Sequence, residues 1–289
     1  MLPYRAGDFV FIIAHYSTFL QKSNLFRVNF SVLRKTPPRA RRNDKFGFAF
    51  FPGMEYNSGG KIRFIERHAN MKKYTTVIFD LDGTLLDTLY DLCDGVNIAL
   101  RAYHMPEKTI DAVRMAVGNG VEKLMERTVP GGHANPQFDE CLARFRTEYA
   151  KIAADHTKPY DGIPVMLDRL NADGYHLAVV SNKFHDATVA LVHRYFPVIH
   201  AVAGEREELG IRKKPCPDTV FAIVREFGVT PAECVYVGDS DVDIETAKNA
   251  HMDCISVAWG FRDTAFLREH GATRIVDTPE ELYRAIVGE

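Results

Sequence analysis

The sequence predicts an α/β fold: a doubly wound parallel sheet with an inserted helical cap domain. Three observations predict it. From about residue 163 onward, apolar strand-like runs alternate with helical patterns. One earlier apolar run, Thr75–Phe79, ends abruptly at two carboxylates, Asp80 and Asp82, followed by Gly83 and Thr84. Between that run and residue 163, helical patterns follow one another with no strand among them. Alternation of strand and helix implies right-handed crossovers and a sheet covered on both faces. A run that ends in acids delivers them to the carboxyl edge, where open α/β sheets place their ligands.

The elements follow in order. After the strand at Thr75–Phe79, a helix is expected from about Thr88 to Tyr103. Leu89, Leu92, Cys93, Val96, Ala99 and Leu100 share one face of it at 3.6-residue spacing. Further helical patterns lie near 107–116, 119–128 and 136–155, and Pro130-Gly131-Gly132 separates two of them. Pro164–Ala172 reads as a helix and His176–Val180 as a strand. A helix over 185–195 and a strand near 198–203 come next. Pro217–Phe227 is helical, Cys234–Val237 a strand and Asp241–Ala250 a helix. Cys254–Val257 and Arg274–Val276 are strands, and Glu280–Val287 closes the chain as a helix. The core is therefore expected over 71–86 and 158–289, with the helical cap over 87–157.

Residues 1–70 differ from the rest. They carry 12 Lys and Arg against 4 Asp and Glu, while the 289-residue chain has a net charge of only −2. Neither helical nor strand periodicity persists there, so the segment reads as an atypical basic extension, disordered or not native. Three origins fit it: an upstream extension of the reading frame with Met71 as the true start, an Arg-rich targeting segment, or a basic arm for nucleic acid. The first is preferred, because nothing in the segment builds a core.

Composition excludes several classes. A net charge of −2 and the absence of a recognisable motif argue against a nucleic-acid partner. No stretch reaches the roughly 20 apolar residues of a membrane span. Five widely spaced cysteines without a C-x-x-C argue for reduced thiols, a cytoplasmic location and no structural zinc. The sequence leaves open a monomer or a homodimer.

Four clusters fall at strand ends: Asp80/Asp82, Ser181-Asn182-Lys183, Arg212-Lys213-Lys214-Pro215, and Gly238-Asp239-Ser240-Asp241-Val242-Asp243. Two close carboxylates repel, and a bound Mg²⁺ is the natural remedy because hard cations take oxygen ligands. The combination suits phosphoryl transfer, with a carboxylate nucleophile, a second acid for proton transfer, a hydroxyl and an amide for phosphoryl oxygens, and a lysine for charge. Taken singly the clusters are weaker. Ser-Asn closes many strands, exposed lysines are common, and Asp and Ser are ordinary helix N-caps.

Together, over residues 73–288, they resemble the haloacid dehalogenase superfamily of phosphatases, with a Rossmann-like core. The resemblance implies that Asp80 is the nucleophile and a Mg²⁺ ligand. It implies that Asp82 is the general acid/base, with its carbonyl on the metal. It further implies phosphate contacts at Thr84 and Ser181 with Asn182 beside them, a phosphoryl-stabilising Lys214, and metal-supporting acids at Asp239 and Asp243. Within the superfamily the phosphoglycolate phosphatases are most similar. Val117-Gly118-Asn119-Gly120-Val121, Lys158-Pro159-Tyr160-Asp161-Gly162 and Trp259-Gly260-Phe261-Arg262 echo them. Gly118 and Asn119 would then sit on a cap loop facing the substrate, a small phosphorylated metabolite. The expected activity is phosphomonoester hydrolysis through an aspartyl-phosphate. The rivals are a phosphomutase or pyrophosphatase on the same scaffold, and a non-catalytic sensor of phosphometabolites.

Overall fold

The computed structural model describes residues 54–56, 62–64 and 73–289. The chain divides into two compact units, Met1–Arg67 and His68–Glu289. In the first, β1 (Met54–Tyr56) pairs antiparallel with β2 (Ile62–Phe64), with Glu55 opposite Arg63. This short ladder departs from the expectation of no strand pattern in that segment. The rest of residues 1–72, with the three origins suggested for them, lies outside the described residues.

The second unit is built on six strands. β3 (Thr76–Phe79) is followed by a two-residue β4 (Leu86–Asp87) and by four helices. These are α1 (Leu89–Ala102), α2 (Ile110–Ala116), α3 (Val121–Thr128) and α4 (Phe138–Ile152). The chain returns through β5 (Lys158–Pro159), α5 (Ile163–Ala172), β6 (His176–Phe184), α6 (His185–Tyr195) and β7 (Ala201–Glu205). It then crosses the sheet through α7 (Asp218–Phe227) to β8 (Cys234–Gly238), α8 (Asp241–Asn249) and β9 (Asp253–Val257). α9 (Thr264–Glu269), β10 (Ile275–Val276) and α10 (Pro279–Val287) complete it.

The large sheet has the order β10-β9-β8-β3-β6-β7, and every pairing in it is parallel. From β3 the chain first builds β6 and β7 on one side, then β8, β9 and β10 on the other. That reversal makes a crevice at the carboxyl end of β3. Side-chain alternation splits the apolar residues between two layers. Val77, Phe79, Leu177, Val179, Val235 and Val237 pack with α5, α6 and α10. Ile78, Ala178, Val180 and Tyr236 pack with α7 and α8. The helical cap has its own core, in which Val96, Leu100, Met125, Cys141 and Phe145 are fully buried.

Several boundaries differ from the sequence reading. The strand expected near 198–203 runs over Ala201–Glu205, because Val198 and Ile199 pack against the core cluster rather than pairing. β6 continues past Val180 to Phe184, with a register shift that opens the ladder around Ser181–Lys183. The β4–β5 ladder, Leu86 opposite Pro159 and Asp87 opposite Lys158, ties together the two strands of chain that enter and leave the cap. Asp91 reinforces this junction. Its buried carboxylate accepts hydrogen bonds from the Thr157 backbone and hydroxyl and from the His156 backbone N–H, at 2.7–2.9 Å.

Candidate active site

β3, β6 and β8 are neighbours in the sheet, so the residues after each meet at one edge. Asp80 follows β3 directly, and its backbone N–H donates to the Val237 carbonyl of β8 (2.9 Å). Gly83, at φ +89°, turns the chain back beneath this acid. A Cβ at that position would collide with the Asp239 carboxylate, so glycine is required for both conformation and space. Trp259 clamps the same loop, its indole N–H donating to the Thr84 carbonyl (3.0 Å).

Asp80, Asp239 and Asp243 each present a carboxylate oxygen within 4.8 Å of the others. Lys214 supplies the nearest positive charge. Its Nζ lies 2.8 Å from Asp80 Oδ1 and 2.7 Å from Asp243 Oδ1. One ammonium is thus shared between the two acids. Three acids face one lysine in a buried setting, where unmatched negative charge is costly.

The electrostatics follow. Burial, with Asp243 and Asp239 adding to it, raises the Asp80 pKa well above the ordinary carboxylate range despite Lys214. Burial and the Asp243 charge push Asp239 up to about 7. Burial alone would lower Lys214, but Asp243 and Asp80 raise it, so it stays protonated. A site that lifts its acids this way is short of positive charge, and oxygen ligands this close suit a hard divalent cation.

Asp243 does more than face the cluster. Its Oδ2 accepts from the Ser240 backbone N–H (3.1 Å) and hydroxyl (2.6 Å), closing a capping box at the start of α8. Its other oxygen holds Lys214. The acid that could pass as a simple helix cap therefore also positions the lysine.

Thr84, expected at a phosphate, contacts an acid of this cluster. It is fully buried, and its hydroxyl donates to Asp239 Oδ1 (3.0 Å). The Phe261 N–H holds the other oxygen of the same carboxylate (2.7 Å). Thr84 thus orients an acid of the cluster, because the Gly83 turn tucks it toward β8. Asn182 also serves through another residue. Its side chain donates to the Lys214 carbonyl (3.0 Å) and accepts from the Lys214 N–H (2.9 Å), which fixes the lysine-bearing loop. The Ser181 hydroxyl accepts from the Lys183 N–H (3.2 Å), and Ser181 faces the cavity.

That cavity, about 480 Å³, lies between the sheet edge and the cap. Asp80, Asp82, Ser181, Asn182, Lys214 and Asp239 line its core wall. Val117, Gly118, Gly120, Val121 and Leu124 line its cap wall. Asn119 is not part of that lining. Its side-chain oxygen accepts from Arg127 (2.7 Å), so the asparagine stiffens the loop while its glycine neighbours face inward.

Three contributors were not assigned roles from sequence. Lys183 is buried and bonds the Asp82 carboxylate (3.1 and 3.4 Å). Tyr149, on the cap, accepts from the same lysine (2.6 Å). Its polar tip on the apolar stripe Phe138, Cys141, Leu142 and Phe145 was the available signal. Arg262, on the core, donates to the carbonyls of Arg114 (2.8 Å) and Val117 (2.6 Å) at the end of α2. Such a side chain supplies the partners that helix C-terminal carbonyls lack.

Comparison with known proteins finds related sequences and structures. The family described as haloacid dehalogenase-like hydrolase matches residues 77–257. A phosphoglycolate phosphatase of Psychrobacter arcticus is 32% identical over 216 residues, covering 70% of this chain and 90% of that protein. One from Aquifex aeolicus is 33% identical over 190 residues, covering 64% and 85%. Among solved structures, a phosphoglycolate phosphatase candidate from Lactobacillus delbrueckii subsp. bulgaricus superposes with a TM-score of 0.72 at 38% identity. It covers 75% of this chain and all of that one.

Proposed function

The chain belongs to the haloacid dehalogenase-like hydrolases and is an enzyme of the phosphatase type, and on that premise we propose that it hydrolyses 2-phosphoglycolate with Mg²⁺ through an aspartyl-phosphate. The observation that carries the reading is Asp80 at the floor of the cavity, paired with Lys214 and flanked by two further acids. The names of the relatives support the choice of substrate.

Asp80, Asp239 and the Asp82 carbonyl would hold the cation, with Asp243 behind them. When bound, it supplies positive charge that offsets repulsion between carboxylate and phosphoryl oxygens. Lys214 adds a fixed charge against those oxygens, and the Ser181 hydroxyl, with backbone amides beside it, binds them. The Asp80 carboxylate attacks phosphorus as the ester P–O bond breaks, and Asp82 gives its proton to the departing alkoxide. Asp82 then takes a proton from water, which attacks the aspartyl-phosphate and releases phosphate. The cap excludes solvent and shapes the space beside the ester. All five cysteines are free, which supports a reducing, cytoplasmic setting. Among the described residues no helix is long and apolar enough to cross a membrane.

The test is phosphate release by the full chain from 2-phosphoglycolate, beside a panel of small phosphoesters and pyrophosphate, with and without Mg²⁺. Preference for 2-phosphoglycolate, lost on chelation and restored by Mg²⁺, is expected. Activity confined to another ester or to pyrophosphate overturns the substrate. Isomerisation of a sugar phosphate with little phosphate release would make the protein a mutase. Binding without turnover would make it a sensor.

A further inference from the structure

Lys183 has no part in the phosphoryl chemistry above, yet its side chain is 3% exposed at the edge of the site. An ammonium carries three donors. Here they meet both oxygens of Asp82 (3.1 and 3.4 Å) and the Tyr149 hydroxyl (2.6 Å). The three residues of this contact come from three places: Asp82 from the loop after β3, Lys183 from β6 of the core, and Tyr149 from α4 of the cap. Tyr149 is buried and stacked on Phe145 at 5.2 Å, so its hydroxyl is held in place. The Lys183 Nζ also sits 4.7 Å from the Tyr149 ring centroid, within cation–π range.

We infer that Lys183 is a positioning residue that aligns Asp82 with the leaving oxygen, and that the cap completes this alignment through Tyr149. The inference rests on the phosphatase reading. The lysine approaches Asp82 through contacts that leave the carboxylate on the cavity wall. With the cap in place, the ammonium is fixed from two sides and the carboxylate keeps one orientation. Without Tyr149 the lysine would retain a long, flexible stem and only one anchor. Proton transfer to the ester oxygen would then be coupled to cap closure. Lys183 itself neither gives nor takes a proton; the proton passes from the Asp82 carboxyl to the ester oxygen as its bond to phosphorus breaks.

Leaving-group dependence tests this, because an alkoxide needs that proton and a nitrophenolate does not. In the full chain with Mg²⁺, kcat/KM would be measured for wild type, Lys183→Met and Tyr149→Phe on an alkyl phosphate and on p-nitrophenyl phosphate. The expected loss for Lys183→Met is about 10²-fold on the alkyl ester, the scale of general acid catalysis, and within about 3-fold on the aryl ester. Tyr149→Phe, which removes one hydroxyl and preserves packing, should lose about 5-fold on the alkyl ester alone. Equal losses on both esters in Tyr149→Phe, or none on either, would overturn the inference while leaving a phosphatase. A wild-type chain that hydrolyses neither ester would remove the phosphatase reading, and the inference with it.

Discussion

The two walls of the cavity are made differently. On the core wall the charged side chains at the strand ends are held by other groups: Lys214 by Asp80 and Asp243, Asp239 by Thr84 and Phe261, Asp82 by Lys183. On the cap wall the Val117–Leu124 lining is small or apolar, its shape fixed through the backbone by Arg262 and Arg127, while α4 adds the polar side chains Arg146, Tyr149 and Lys151. Fixed charges lower reaction barriers because they need no reorganisation as charge develops. The apolar Val117–Leu124 part of the cap wall, set by backbone position, discriminates by volume, which is worth much less per contact. The contrast predicts that substitutions among the charged core residues act on rate, and those that loosen the Val117–Gly120 loop act on substrate binding.

Asp80→Asn should break the contrast most severely if the core wall carries the chemistry. Turnover is expected to fall by at least about 10³-fold, since loss of a covalent nucleophile costs orders of magnitude. The melting temperature should hold or rise, because one acid leaves a crowded group. Retention of more than about a tenth of the activity would refute the nucleophile assignment.

Removal of divalent metal exposes the same charge crowding as a pH effect. The folded protein holds a proton on Asp239 up to about 7, whereas an unfolded carboxylate loses it near the ordinary value of 3.8. Between those values the native state binds more protons than the unfolded state. Stability of the metal-free protein should therefore fall as pH rises through that window. Mg²⁺, which favours the ionised acids, should raise the melting temperature more at pH 8 than at pH 5. Thermal melts at both values with and without chelator measure this; an equal gain at both would count against a metal at these acids.

Arg262→Met sharpens the comparison from the other wall. It leaves the carbonyls at the end of α2 without their donor and loosens the Val117–Gly120 loop. The expected result is a KM several-fold higher with kcat within about 3-fold, the signature of lost uniform binding. A kcat loss equal to that of a core variant would erase the distinction between the walls. Asn119→Ala should do least. It removes one exposed bond to Arg127, so stability should change by about 0.5 kcal/mol and kcat/KM by less than about 2-fold. A large KM effect would restore Asn119 to the substrate.

Much of this was legible in the sequence. The acids at 80 and 82 were visible because an apolar strand ended on them, and the cap helices because their apolar residues recur at helical spacing. Asp239 and Lys214 stood out only as members of an ordered set of strand-end clusters. Other features carry no such local mark. A two-residue ladder such as Leu86–Asp87 with Lys158–Pro159 is too short for periodicity to reveal. Thr84 and Asn182 carry the right functional groups, but their direction follows from the Gly83 turn and from the Lys214 loop.

The sequence by itself determined the fold class, the helical insert and which strand ends carry reactive groups, because those depend on periodicities spanning a few residues. Only the tertiary structure decided who holds whom. Lys183 meets Asp82 across 101 residues and Tyr149 across 34, and Arg262 reaches α2 across about 145. Such pairings arise when the crossing of β3, β6 and β8 brings separate loops to one edge and the cap settles over it. A buried charge takes as its partner the group that the fold brings within reach, and separation along the chain does not record which group that is.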